Sequence, residues 1–290
     1  MTRDLVAELS DGTRITYVDA GVPDGSPVIL LHGTPASRLL ATGALDDAAR
    51  ELGLRLVAPD RPGLGGSSFL PYRVVDYPVS LARFADVIGL DDFTVVGTSG
   101  GGRYACATGC LLGDRVRHVI LVASTVSPDV ADAQSTWNRG DRTAYLLARR
   151  APWLFRGLIA NMARKLRRDP DSWRGLLPDL CPADQRTLTR DDSQALMRRM
   201  LAEALRQGPR GVAHDYRLEA SPWGIEPATI TAPVDIWHGQ DDTLVKPIAA
   251  RLLANAIPSA RLHLVQGKGH FSLIVDEAVR YLSTAEEGQG

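Results

Sequence analysis

Cysteine is scarce in this chain: Cys106, Cys110 and Cys181 are the only three, too few for a disulfide framework. No stretch of about 18 apolar residues occurs, which excludes a bilayer-spanning helix. The opening MTRDLVAELSDG has only Leu5-Val6-Ala7 between charges, so it does not read as a secretory signal, and a cytoplasmic location is expected. An excess of one charge is also missing. Lys and Arg number 33 against 34 Asp and Glu, leaving no overall field to hold nucleic acid or an anionic membrane. Lysine itself is nearly absent, with Lys165, Lys246 and Lys268 the only three among the 33 bases. What is present, 290 residues with 44% hydrophobic, suffices for one large or two modest domains with a sizeable core.

The near-neutral total conceals a skew. Residues 131–220 hold 17 Arg and Lys against 11 Asp and Glu, a local +6, so the remainder carries −7. Two readings stand: Arg-favouring codon usage with solvated helix faces, or a basic lobe that attracts an acidic substrate.

Strand and helix signals alternate over the first 125 residues. Residues 5–9 and 13–17 read as a hairpin about Ser10-Asp11-Gly12. Pro27-Val28-Ile29-Leu30-Leu31 is a continuous apolar run of the kind buried on both faces of a parallel sheet. Helix follows over 38–51, strand over 54–58, a Gly/Pro-rich loop over 60–67, helix over 79–88, strand over 93–96, helix over 101–112 and strand over 116–123. From about 127 to 222 strand signals stop, and several Arg-rich helices are expected. The rhythm then resumes with strands at 233–237 and 261–265, helices at 247–256 and 271–284, and a tail at 285–290 expected to fray. This pattern predicts an α/β protein: one parallel sheet built from residues 1–126 and 223–290, interrupted by a helical insertion at 127–222.

The segment Phe93-Thr94-Val95-Val96-Gly97-Thr98-Ser99-Gly100-Gly101 is a strand running through G-x-S-x-G into a helix. The tight turn lifts the Ser hydroxyl above the sheet edge and aims a helix N-terminus at any anion formed beside it, and a Cβ at either flanking Gly would strike the adjoining strand and helix. A dinucleotide reading of Gly100-Gly101-Gly102-Arg103-Tyr104-Ala105 wants an acid closing the next strand, but that strand ends in Val122-Ala123-Ser124. A serine nucleophile needs a base and an orienting acid. Of the six His, His118 and His263 lie within strands, His214 lies in the insertion, and His32 and His238 close strands. His270 sits in Gly267-Lys268-Gly269-His270-Phe271, a loop able to bring an imidazole over the sheet edge. Trp237-His238-Gly239-Gln240-Asp241-Asp242 supplies the acid after a strand, in the chain order Ser, Asp, His.

These segments, together with His32-Gly33-Thr34-Pro35 and Asp60-Arg61-Pro62-Gly63-Leu64-Gly65-Gly66-Ser67, resemble the α/β-hydrolase superfamily, in its serine-nucleophile subgroup with a helical cap. The resemblance covers nearly the whole chain except the insertion. It implies a mostly parallel eight-stranded sheet with helices on both faces and a cap at 127–222. It further implies Ser99 as nucleophile, His270 as general base and then acid, and Asp242 (with Asp241 as the alternative one residue earlier) orienting His270. The N–H groups of Thr34 and Gly100 would form the oxyanion hole, and Asp60 and Arg61 would tie loops together. No cofactor and no metal are implied. Ser99 in place of an elbow Asp argues against carbon–halogen and epoxide chemistry.

Cys106 and Cys110, four apart on one helix face, read as core thiols because no further ligands stand at zinc spacing. Trp137, Trp153, Phe155 and Trp173 fit a substrate pocket and a cap core equally well. The activity expected is hydrolysis of a carboxylic ester, thioester or lactone through an acyl-enzyme. C–C bond or amide cleavage by the same triad, or a binding protein with an idle triad, are the alternatives. The expected partner is a small-molecule substrate, with no nucleic acid and no membrane, and a homodimer is left open.

Overall fold

The computed structural model describes residues 2–177 and 179–285. Eight strands form one sheet: β1 (Arg3–Glu8), β2 (Arg14–Gly21), β3 (Ser26–Leu31), β4 (Leu54–Pro59), β5 (Phe93–Thr98), β6 (Val116–Val122), β7 (Val234–Gly239) and β8 (Ala260–Val265). Their order is β1-β2-β4-β3-β5-β6-β7-β8. Only β2 runs antiparallel to its neighbours, and the other pairs are parallel. Eleven α-helices are described: α1 (Ala44–Glu51), α2 (Tyr77–Val87), α3 (Gly102–Leu111), α4 (Arg139–Arg150), α5 (Pro152–Arg168), α6 (Pro182–Thr189), α7 (Asp191–Ala204), α8 (Pro209–Glu219), α9 (Ile248–Ala256), α10 (His270–Asp276) and α11 (Ala278–Leu282).

The unbroken apolar strands have a direct cause: both faces are covered. In β3, Val28 and Leu30 pack in one cluster with Leu45 and Ala49 of α1 and Leu282 of α11. Ile29 and Leu31 point the other way, toward Leu81 and Phe84 of α2 and Ala105 of α3. Each such side chain withdrawn from water contributes about 1.5–3 kcal/mol before chain entropy is set against it. The chain leaves β3 for α1 on one face and leaves β5 for α3 on the other. The carboxyl ends of these adjacent strands therefore diverge, opening the crevice in which α/β sheets hold their ligands.

Helices α4–α8 lie between β6 and β7 with no strand among the described residues, only an isolated bridge from Trp137 to Val245. The four aromatics in question divide: Phe155 and Trp173 are buried, Trp137 is half-buried edge-on against Tyr145, and Trp153 is 76% exposed.

Two helices expected as single pieces are broken. At 38–51 a 3-10 turn (Arg38–Ala41) precedes α1, with Gly43 at φ 64° between them. The Arg38 side chain is drawn to Asp4 at 2.7 Å, Asp60 at 2.5 Å and Glu203 at 2.7 Å, a set of partners that fixes the turn. The final helix divides at Glu277 into α10 and α11. Of the tail at 285–290, Ala285 is buried, and the rest lies outside the described residues. No helix among the described residues is long and apolar enough to cross a membrane.

Candidate active site

Ser99 directly follows β5 and adopts φ 51°, a left-handed conformation that L residues enter only under constraint. The constraint is packing. A Cβ on Gly97 would come within 2.7 Å of Ala105 and Gly102 of α3, and one on Gly101 within 2.0 Å of the Leu31 carbonyl oxygen of β3. Only glycine lets helix and strand approach this closely, and the close approach forces the sharp bend at Ser99.

His270 opens α10 and is almost fully buried. Its Nδ1 is 2.8 Å from Asp242 Oδ2, and the other carboxylate oxygen accepts N–H bonds from Leu244 at 2.8 Å and Val245 at 2.9 Å. Asp241, one residue earlier, is exposed. Asp242 is therefore the carboxylate that meets the imidazole. Burial alone would lower the His270 pKa, but the charge and hydrogen bond of Asp242 outweigh it and raise the value above 6.5.

Ser99 and His270 line one cavity of about 390 Å³, within the usual range for small-molecule sites. No hydrogen bond joins Ser99 Oγ to His270 in this geometry. Thr34 lines the same cavity, and a Cβ on Gly100 would lie 2.7 Å from Thr34 Oγ1, so the two residues adjoin. The backbone N–H of Thr34 has no acceptor among the described residues.

Beneath this cavity lies a charged network that sequence reasoning missed. Asp215 of α8 accepts from Arg61 Nη2 at 2.6 Å, Arg103 Nη2 at 2.7 Å, Tyr104 Oη at 2.6 Å and Thr34 Oγ1 at 2.6 Å. Both guanidiniums are fully buried. Arg61 also donates to the carbonyl oxygens of His32 and of Gly33, the latter at 2.8 Å, and Arg103 donates to that of Gly100 at 2.7 Å. The pair of arginines thus grips both loops that flank Ser99. Burial would raise the Asp215 pKa, but the two arginines hold it well below the usual carboxylate range. Arg61 tying loops was expected, whereas Arg103 and Asp215 carried no local signal. Asp184 of α6 was missed as well: it accepts from the backbone N–H of His270 and of Ser272, each at 2.8 Å, and so seats the turn that carries the imidazole. The other histidines have structural partners. His118 and His263 bind Asp235 at 2.7 and 2.5 Å, and His238 bonds to the Val245 carbonyl at 2.8 Å.

The cavity wall is mostly apolar and includes Met162, Met197 and Met200, every methionine beyond the first residue. Besides Tyr145 and Tyr216, its ionisable groups are His270 and two carboxylates, Asp141 and Glu219, with no Arg or Lys among the lining residues. Asp141 accepts from Asn138 Nδ2 at 2.7 Å and has no cation partner. Burial first, then the neighbouring Glu219 charge, pushes its pKa up to about 7. Glu219 is 3.3 Å from Arg103. No group of three or more His, Cys, Asp or Glu able to hold a metal occurs among the described residues.

The sheet order and the residues gathered at the ends of β3 and β5 define a class, and a family model for the alpha/beta hydrolase fold matches residues 26–277. The chain belongs to that family and is a hydrolase. A 2-hydroxymuconate semialdehyde hydrolase of Pseudomonas putida is 29% identical, over 96% of this chain and 91% of that protein. A poly(3-hydroxyalkanoate) depolymerase of Ectopseudomonas oleovorans is 25% identical over 92% and 86%. In fold, the enol-lactonase of Burkholderia xenovorans LB400 superposes with a TM-score of 0.71 at 19% identity, covering 98% of this chain and 99% of that one.

Proposed function

We propose that the chain is a serine hydrolase of uncharged carboxylic esters, thioesters or lactones, with Ser99 as nucleophile, His270 as base and Asp242 as its orienting acid. The observation that carries this reading is the 2.8 Å His270–Asp242 bond, set in the same cavity wall as a serine held at a left-handed elbow. In this reading Ser99 Oγ swings to His270 Nε2 as substrate enters, a tightening common between empty and occupied sites. The imidazole takes the hydroxyl proton as Oγ attacks the carbonyl carbon. The N–H groups of Thr34 and Gly100 hold the resulting oxyanion, each such donor being worth about 3 kcal/mol. Collapse expels the alcohol with the proton from His270, and water repeats the sequence to free the acid. Helices α4–α8, within residues 127–222, act as a cap that supplies most of the cavity's apolar wall.

Preference for a neutral substrate follows from the wall. Two carboxylates and no Arg or Lys face the space, so a substrate carboxylate would enter without a counter-ion. The basic surplus of the insertion therefore does not select an acidic substrate in the cavity. The methionines, flexible and polarisable, suit an apolar acyl or alcohol group of variable shape. A second reading has support from the Pseudomonas putida relative: that protein's name specifies a semialdehyde of a muconate, a substrate bearing a carboxylate. Turnover measured on matched neutral esters, lactones, monoesters of dicarboxylic acids and vinylogous diketones separates the two. We expect kcat/KM for neutral esters to exceed that for their carboxylate-bearing counterparts by at least about tenfold. Efficient cleavage of the acidic diketones alone overturns the ester reading.

A further inference from the structure

The most concentrated charge in the molecule is not at the cavity. Residues 139–168, which make up α4, Ala151 and α5, hold nine Arg and Lys against one acid, Asp141, a net of +8 in a chain whose total is −1. Asp141 faces the cavity, whereas all nine bases are exposed. None of the nine forms an ion pair among the described residues. The acids that follow are occupied elsewhere: Asp169 caps the N–H of Asp171, and Asp171 pairs with Arg198 at 2.8 Å.

The same helices carry an exposed apolar group. Trp153 is 76% exposed, Leu146 56%, Leu158 47% and Leu154 40%. The other large exposed apolar residues are scattered along the chain, while these four fall within 13 positions. At 3.6 residues per turn, Phe155, Ile159, Ala163 and Leu166 form the buried side of α5. Trp153 and Leu154 point away from that side and Leu158 flanks it, with Arg164, Lys165 and Arg168 continuing the outward face toward the C-terminus. On α4, Leu146 stands in one stripe with Arg142, Arg149 and Arg150.

A face this cationic repels a second copy of itself, so isologous self-association does not account for it. Nucleic acid would use the charge but leaves an exposed Trp and three exposed Leu without a role. Apolar side chains ringed by unpaired bases fit an interface whose surface is anionic and whose next layer is hydrocarbon. We infer that the outer face of α4 and α5 docks the protein on an anionic phospholipid surface, with Trp153, Leu154 and Leu158 entering the headgroup–acyl boundary and Arg149, Arg150 and Arg156 contacting lipid phosphates. The surface is independent of the proposed chemistry, since none of these residues lines the cavity.

Sedimentation of the full chain with vesicles tests this. The probes are phosphatidylcholine alone, phosphatidylcholine mixed with phosphatidylserine, and double-stranded DNA as a lipid-free polyanion. Partitioning to the mixed vesicles should exceed that to phosphatidylcholine by at least about tenfold and weaken sharply by about 0.5 M salt. Trp153→Ala, and separately Arg150→Glu with Arg156→Glu, should each reduce it at least about fivefold while leaving ester turnover in solution and circular dichroism unchanged. Ser99→Ala should bind vesicles as well as the parent chain, so loss of catalysis and loss of docking are read separately. Equal affinity for both vesicle types, indifference to these substitutions, or binding to DNA without binding to vesicles overturns the inference.

Discussion

Ser99, His270 and Asp242 lie far apart in the sequence, and each is held by a different local device. Ser99 is held by glycine-permitted packing at the elbow, His270 by the Asp184 carboxylate at the start of α10, and Asp242 by two backbone N–H groups. Asp242→Asn should lower kcat about 10³–10⁴-fold, because an amide neither fixes the imidazole tautomer nor stabilises its cation. Asp241→Asn should change kcat by less than about threefold, consistent with its exposed side chain. Steady-state kinetics on the two variants decides between neighbouring carboxylates that the sequence left open. The family resemblance named Asp242, and Asp241 stood as its alternative because one residue of register in a loop decides which carboxylate turns inward. pH adds a second check. A base is active when unprotonated, so kcat/KM should fall as pH drops through a His270 value above 6.5, and this limb should move to lower pH in Asp242→Asn. Asp141 shows the opposite consequence of burial. Its pKa rises from 3.8 to about 7 on folding, so the folded chain retains a proton that the unfolded chain releases. Stability from this group is complete below about pH 4 and is lost as pH rises to about 7. Asp141→Asn should accordingly match the parent at pH 4 and be more stable by about 1–3 kcal/mol at pH 8, measured by urea unfolding.

Among elements, the decisive contact is between α8 and the loops at the carboxyl edge of the sheet. Asp215 reaches Arg61 across 154 positions and Arg103 across 112. No periodicity or local motif encodes a partner at that separation, so the sequence marks Arg61 in its loop but not Arg103 or Asp215 as its neighbours. Truncating Asp215 strands two fully buried guanidiniums, with Glu219 left as a partial partner for Arg103 alone. Asp215→Ala should destabilise the fold by about 3–5 kcal/mol. Because the network joins the insertion to the sheet, both should unfold in one transition, with far-UV circular dichroism and tryptophan fluorescence giving coincident denaturation curves. Two separated transitions in the parent chain would contradict the coupling. The helix expected at 38–51 failed for a related reason. Helical composition there is real, but Arg38 is claimed by Asp4, Asp60 and Glu203, all distant in sequence, and the first turn tightens to meet them.

For the molecule as a whole, the sheet and its helices were legible because burial on both faces writes continuous apolar runs into β3, β5 and β6, and tight turns demand Gly at fixed places. Five ordered motifs then singled out Ser99, Asp242 and His270, the residues proposed as nucleophile, acid and base. The insertion was legible only as a helical region. The direction each of its charges faces depends on how five helices pack, and that packing sends Asp141 and Glu219 inward and the arginines of α4 and α5 outward. A local +6 counted over 131–220 therefore described the outer surface and said nothing of the cavity. Charge summed along a segment is a poor guide to the charge a bound substrate meets.

The proposed chemistry stands on Ser99 as an activated nucleophile, and mass mapping after treatment with a fluorophosphonate reads this directly. One phosphonyl group per chain is expected, on the peptide containing Ser99, with labelling slowed at least about 10³-fold in His270→Ala and absent in a folded Ser99→Ala chain. Labelling of another residue, or undiminished labelling of Ser99→Ala, would contradict it.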